Sequence, residues 1–227
     1  MNLEEFKQKF REIRNKGFVK SLRPGPTGIG YTFETLLGIK ENNLAAPDIQ
    51  GIEIKTHRMG SSNLITLFTF NKKVWKINQL EAIRKYGVPD KNGRLGLYFT
   101  MSQKPNSTGL FIYITNDYIQ LRHLDGTILA EWSLDNLVKR FKEKIPAMLY
   151  ITAEVEVRDG IEYFHYIRAQ LLKDTSKEVL ISQFKEENIV LDLRLHDKGT
   201  RARNHGTAFR CYEENLPKIF SHVEDLL

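Results

Sequence analysis

Beginning at Gly51, apolar residues recur at every second position in one short run after another. The runs read IEIKT, LITLFTF, GLYFTM, LFIYIT, YIQLRHL and DGTILAEW, then MLYITAEVEVR, YFHYIRAQLL, IVLDLRL and TAFRCY. A period of two belongs to strands whose alternate side chains enter a core. Helical spacing marks other stretches. Leu3, Phe6, Phe10 and Ile13 form a stripe over residues 2–16, with Lys7, Arg11 and Arg14 along its flank. SLDNLVKRFKEKI, opened by Ser133, and TSKEVLISQFKEEN read as amphipathic helices, and ENLPKIFSHVEDLL as a closing one. Helices among mostly hairpin-linked strands predict the α/β or α+β class, with α/β (a mixed sheet flanked by helices) the expectation carried forward. Pro146 marks the expected seam between a lobe of residues 1–145 and one of residues 146–227, with interleaving of the two left open.

Before the first strand comes RPGPTGIG, irregular because of its prolines and glycines. Thr32 reads as the N-cap of a helix striped by Phe33, Leu36 and Leu37 and stopped by Gly38. These glycines do not spell a dinucleotide fingerprint. Prolines stand where a strand is required, Phe33 occupies the third glycine position, and no GK[ST] follows. The glycines let the chain turn into the helix, or let its backbone approach a phosphate.

PDIQGIEIKTHR sets Asp48, Glu53 and Lys55 within eight residues. On a strand Glu53 and Lys55 share one side, and Ile52 and Ile54 look into a core. Asp48 lies five residues before Glu53, across Gly51, where a bend is expected to return its carboxylate towards Glu53. Two adjacent carboxylates are costly unless a cation joins them, and magnesium prefers one or two carboxylates with waters and phosphate oxygens. A lysine beside them orients a water and offsets charge building on a phosphate. Glu34, from the helix, completes such a set. The same pattern also suits a solvated strand face with one charge pair.

A chain of 227 residues, 41% hydrophobic, is long enough for one large domain or two lobes sharing a core. Its formal net charge of +6 favours a polyanionic partner. The single Cys211 excludes an internal disulfide and a cysteine zinc cluster. MNLEEFKQKF is charged from its first turn, unlike a signal peptide, and no apolar run is long enough to span a bilayer. The expectation is a soluble intracellular protein with no membrane partner.

PDIQGIEIK has the form of the PD-(D/E)xK nuclease motif. The longer run GPTGIGYTFETLLGIKENNLAAPDIQGIEIKTHR resembles the N-terminal signature of MvaI/BcnI-type restriction endonucleases, relatives of the MutH mismatch-repair nickase. LDLRLHDKGTRARNHGTAFR, above all HGTAFR, resembles that family's recognition segment. The resemblance implies a PD-(D/E)xK core with catalytic and DNA-recognition lobes around a cleft. It makes Asp48, Glu53, Lys55 and Glu34 the catalytic set, with Asp48 and Glu53 holding Mg²⁺. It assigns Arg194 and Arg210 to base edges, where the arginine fork matches the two acceptors of guanine. Arg194 shares a face with Asp192, so a local salt bridge is the alternative. His205, in the matching HGTAFR, becomes a candidate base or phosphate contact. Lys198, Arg201 and Arg203 sit among Gly199, Asn204 and Gly206 in what reads as a flexible basic loop suited to phosphates. His57, just beyond Lys55, is placed for DNA contact or for a hydrogen-bonded structural role.

The resemblance further implies a monomer that nicks each strand of double-stranded DNA in turn at a short C/G-rich pseudosymmetric site. It also implies a prokaryotic cytoplasmic setting and a cognate DNA methyltransferase in the same system, not stably bound. A MutH-like strand-specific nickase shares the chemistry. A non-catalytic DNA-binding protein is the alternative of another kind, though such a module gains nothing from acids facing phosphates.

Overall fold

A computed structural model of the chain describes residues 1–39, 52–69 and 72–227. In chain order the elements are α1 (Leu3–Arg14), β1 (Val19–Lys20), α2 (Gly28–Leu37), β2 (Glu53–Arg58), β3 (Leu64–Thr69), α3 (Gln79–Tyr86), β4 (Val88–Pro89) and β5 (Leu95–Met101). A meander of β6 (Leu110–Ile114), β7 (Tyr118–His123) and β8 (Ile128–Ser133) leads into α4 (Leu134–Lys144). Then come β9 (Ala147–Arg158), β10 (Ile161–Lys173), α5 (Lys177–Lys185), β11 (Ile189–Asp197), β12 (Ala202–Asn204), β13 (Ala208–Tyr212) and β14 (His222–Asp225). The fold is mixed α/β, as the periodicity predicts. Among the described residues no helix is long and apolar enough to cross a membrane.

The chain forms two compact units, and they interleave. Met1–Ser62, Lys142–Thr175 and Leu216–Leu227 make the first; Asn63–Phe141 and Ser176–Asn215 make the second. The expected seam at Pro146 therefore lies inside the first unit. The reason is strand pairing: β9 and β10, which follow Pro146, complete the sheet that β2 begins.

That sheet runs β1-β10-β9-β2, with β14 also on β10. β9 and β10 are a long hairpin turned by Asp159 and Gly160, both at positive φ. β2 lies parallel to β9, Glu53 opposite Met148 and Arg58 opposite Ala153. Parallel neighbours cannot be joined by a tight turn, and here the first stretch of the second unit lies in the connection between them. One cluster packs Phe6, Phe10 and Ile13 of α1, and Ile29, Phe33 and Leu37 of α2, with Ile54, Leu149, Ile151, Phe164 and Tyr166 of the sheet. Each such side chain removed from water stabilises the unit by roughly 1.5–3 kcal/mol before entropy is counted. Asn2 and Glu5 form a capping box at the start of α1. Lys9 of α1 donates to the Leu37 carbonyl at 2.7 Å, placing a cation at the negative end of α2.

The second unit holds a sheet of order β3-β13-β11-β5-β4, with β12 on the far half of β11, and the separate β6-β7-β8 meander. Leu191, Leu193 and Leu195 alternate into its core beside Leu97, Met101 and Phe209. The Phe209 ring packs against Trp132 at 4.9 Å and Phe184 at 4.8 Å.

Three local readings change. Thr32 is not a cap: α2 begins at Gly28, with Thr27 in the cap position, and the buried Thr32 hydroxyl accepts from the Leu22 amide at 3.0 Å. The closing segment is not an α-helix. Pro217 lacks the amide an α-helix needs; Glu213–Ile219 winds as a 3₁₀ helix, and His222–Asp225 then joins β10 as an edge strand. Helix α3 is an element beyond those the sequence patterns mark, with Ala82, Ile83 and Tyr86 spaced along one buried face of it.

Candidate functional site

In the first unit the described members of the expected site lie on α2 and β2. β2 is the edge of its sheet, so the side opposite β9 carries no neighbouring strand among the described residues. Ile54 is buried in the core shared with α2, Glu53 is exposed and Lys55 half-buried. This is the alternation that the IEIK spacing predicts. Asp48 and Pro47 lie outside the described residues, so the structure gives Glu53, Lys55 and Glu34 of the expected catalytic set. Helix α2 turns Gly30 and Glu34 towards β2: a Cβ at Gly30 would stand 3.4 Å from Thr56 Oγ1 and 3.7 Å from Glu34 Oε1.

Two contacts fix the helix. Buried Tyr166 donates its hydroxyl to the Ile29 carbonyl at 2.8 Å. Burial above all pushes the Tyr166 phenol well above its ordinary pKa; the nearby Arg58 charge opposes this and Glu34 adds to it. Arg58, at the end of β2, holds Glu162 of β10 through Nε and Nη2 at 2.9 and 2.8 Å. Its Nη1 and Nη2 also reach the Pro26 and Gly25 carbonyls at 3.2 and 3.3 Å, tying the turn before α2 to the strand that carries Lys55.

Gly28 answers what the glycines are for. A Cβ there would overlap the Arg23 carbonyl oxygen and stand 2.7 Å from Ser21 Oγ. The residue is a close approach of two backbones, and no nucleotide loop is formed.

His57, expected where DNA contact was open to it, is 4% exposed. Its ring stacks on Tyr150 at 4.4 Å and its Nδ1 lies 3.3 Å from the Ile151 carbonyl oxygen. It packs the strand, because its side chain falls over β9 instead of beyond the sheet edge. Among the described residues no group of three or more His, Cys, Asp or Glu side chains could hold a metal. The donors that suit magnesium are the hard carboxylates of Glu53 and, outside the described residues, Asp48.

The second unit presents a polar sheet face. Asp192, Arg194 and His196 alternate along β11; Thr100 and Tyr98 stand opposite them on β5, and Arg210 comes from β13. Asp192 is 1% exposed, and its Oδ2 meets both arginines: Arg194 Nε donates to it at 2.9 Å, and Arg210 Nε lies 2.6 Å away. The Arg210 contact is a charge contact without hydrogen-bond alignment. Arg210 Nη1 donates to Thr66 Oγ1 at 2.6 Å. The salt bridge read as the alternative for Arg194 is thus present and larger than expected, since Arg210 joins it. Both arginine side chains stay partly open, at 45% and 22% exposure.

His196 is buried, with Tyr98 Oη at 2.9 Å and His205 Nε2 at 3.0 Å from its Nδ1. Burial first, then the charges of His205, Arg94, Lys198 and Arg203, hold its pKa below the ordinary histidine value. His205 is exposed and stacks on the His196 ring at 4.8 Å. The segment after β11, read as a loose basic loop, is a tight hairpin. β12 pairs back on β11, Lys198 donates its amide to the Arg201 carbonyl at 2.9 Å, and Arg84 grips Asp197 and the Gly199 carbonyl. Lys198, Arg201 and Arg203 remain exposed on it. Tyr98, Thr100 and Thr66 escaped the sequence reading; the alternation of GLYFTM and LITLFTF placed them on a face but not beside the arginines.

No curated protein matches the chain. Among the solved structures that resemble it are two of one enzyme, each matching over nearly its whole length. The restriction endonuclease MvaI in complex with its cognate DNA substrate superposes with a TM-score of 0.66 at 28% identity, covering 99% of this chain and 98% of that one. MvaI in the absence of DNA gives 0.65 at 28% identity, covering 99% and 97%. The model of the MvaI/BcnI restriction endonuclease family matches residues 7–220, a span that holds Glu34, Lys55, Arg194 and Arg210 alike. The chain belongs to the MvaI/BcnI restriction endonuclease family.

Proposed function

We propose that this protein is a type II restriction endonuclease that hydrolyses double-stranded DNA at a short specific site with Mg²⁺ as cofactor. The observation that carries the reading is that one family match spans both an acid–lysine strand and an arginine-bearing sheet face. Asp48 and Glu53 are the residues to hold the metal, which supplies Lewis-acid withdrawal of charge from the scissile phosphate. Lys55 orients the attacking water and offsets charge on the phosphate oxygens. Glu34 supports the set from α2. Attack in line with the leaving oxygen yields 5′-phosphate and 3′-hydroxyl ends. Arg194 and Arg210 read base edges, His205 lies beside them as a further contact, and Lys198, Arg201 and Arg203 hold phosphates. A C/G-rich site and a methyltransferase that protects it complete the proposed system.

Incubation of the protein with a sequenced plasmid and Mg²⁺, followed by end-mapping, tests this. Cleavage at one short sequence is expected, with loss in EDTA and in Asp48→Asn and Lys55→Ala, both of which still bind DNA. Full activity in either variant would sink the proposed site. Products nicked on one strand only would instead indicate a MutH-like nickase, and binding without cleavage a silent DNA-binding protein.

A further inference from the structure

We propose that Asp192 is a positioning residue for sequence recognition, its carboxylate setting the direction of the Arg194 and Arg210 forks before DNA arrives. The proposal rests on the reading that these arginines contact base edges. An isolated buried carboxylate is unfavourable, and removing the partners of one is destabilising. Here one oxygen, Oδ2, serves two guanidinium groups from two different strands, and Oδ1 lies 3.4 Å from Thr100 Oγ1 on a third. The carboxylate lies beneath the arginines at 1% exposure, so base contact is left to them.

The geometry separates the two ends of the Arg194 fork and braces Arg210 at both of its ends. Both arginines meet Asp192 through Nε. Arg194 thereby keeps its terminal nitrogens clear of Asp192, and Arg210 is braced further by Thr66 and, at 3.5 Å, by the Gly206 carbonyl. An arginine held by its Nε loses less freedom when its terminal nitrogens bind a planar acceptor pair. The shared anion also lets two cations stand close together. Without it they repel, and each side chain regains other rotamers. Arg194 is pinned at its backbone as well, its amide donating to Thr207 Oγ1 at 2.9 Å and its carbonyl accepting from His205 at 2.7 Å. Freedom at this residue therefore resides in the side chain that Asp192 holds.

The test is kcat/KM on an oligonucleotide carrying the mapped site against a set with single base-pair changes. Asp192→Asn keeps the shape and removes the charge; discrimination is expected to fall about 10–100-fold, with random-sequence affinity unchanged or tightened. In an Arg194→Ala/Arg210→Ala background the same change is expected to cause no further fall, which a merely structural role would not produce. Wild-type discrimination in Asp192→Asn, alongside loss in the arginine variants, overturns the positioning role and leaves the base-reading assignment standing. A further equal fall in the arginine background also overturns it. Full discrimination in the arginine variants removes both. Thermal melts report folding; should Asp192→Asn not fold, Asp192→Glu, which moves the carboxylate, is read by the same criteria.

Discussion

Histidine 196 sits where a proton is unwelcome. It is buried, its Nδ1 faces Tyr98 and His205, and Arg94, Lys198 and Arg203 add positive charge around it. Its folded pKa is therefore below the unfolded value near 6.5. Below that value the unfolded chain binds a proton that the folded chain resists, so the unfolded state gains as pH falls. Stability from this residue is complete above about pH 6.5 and declines as pH drops through it. Urea melts between pH 5 and 8 should show that decline, and His196→Gln should flatten it. An unchanged slope in the variant would mean that other groups set the dependence. The same residue illustrates what sequence alone conveys: the RLH spacing puts His196 on the face of Arg194, but does not show that His205 folds back onto its ring.

At the scale of elements, α2 decides how Glu34 meets β2, and two of its glycines make opposite forecasts. Gly28→Ala drives a Cβ into the Arg23 carbonyl, which is backbone and cannot swing aside. It should destabilise the protein by about 1–3 kcal/mol. Gly30→Ala meets Thr56 and Glu34 only at ordinary contact distances and gains helix propensity, up to ~1 kcal/mol. Calorimetry should place Gly30→Ala at or above the unaltered protein and Gly28→Ala well below; the reverse order would mean that the turn before α2 is more yielding than its packing indicates. The strands were legible because a half-buried strand writes its period directly into the sequence, as IVLDLRL and IEIK do. Helix starts were less so: Thr32 looks like a cap, yet its hydroxyl serves Leu22, ten residues back on a separate turn. The Asp192–Arg210 contact was invisible because it depends on the pairing of β11 with β13. The basic hairpin looks like a loose loop in the sequence because its tip is fastened by Arg84, from far earlier in the chain.

For the whole molecule, the proposed reading as a monomer, with one acid–lysine strand among the described residues, sets the expected course of cleavage. On that proposal the enzyme would cut one DNA strand, turn, and cut the other. Supercoiled plasmid under limiting enzyme should pass through an open-circular form, and sedimentation should report about 26.4 kDa for the free protein. Linear product without a nicked intermediate, or a dimer on DNA, would overturn that mechanism. The parallel pairing of β2 with β9 carries a consequence for biosynthesis. Glu53 must wait for Met148, about 95 positions downstream, before its strand has a neighbour. On a ribosome adding roughly 5–20 residues per second, that is a delay on the order of 5–20 s. Throughout it the segment bearing Lys55 lacks its β9 neighbour, so the part of the protein that would cut DNA closes only once synthesis is well past the middle of the chain.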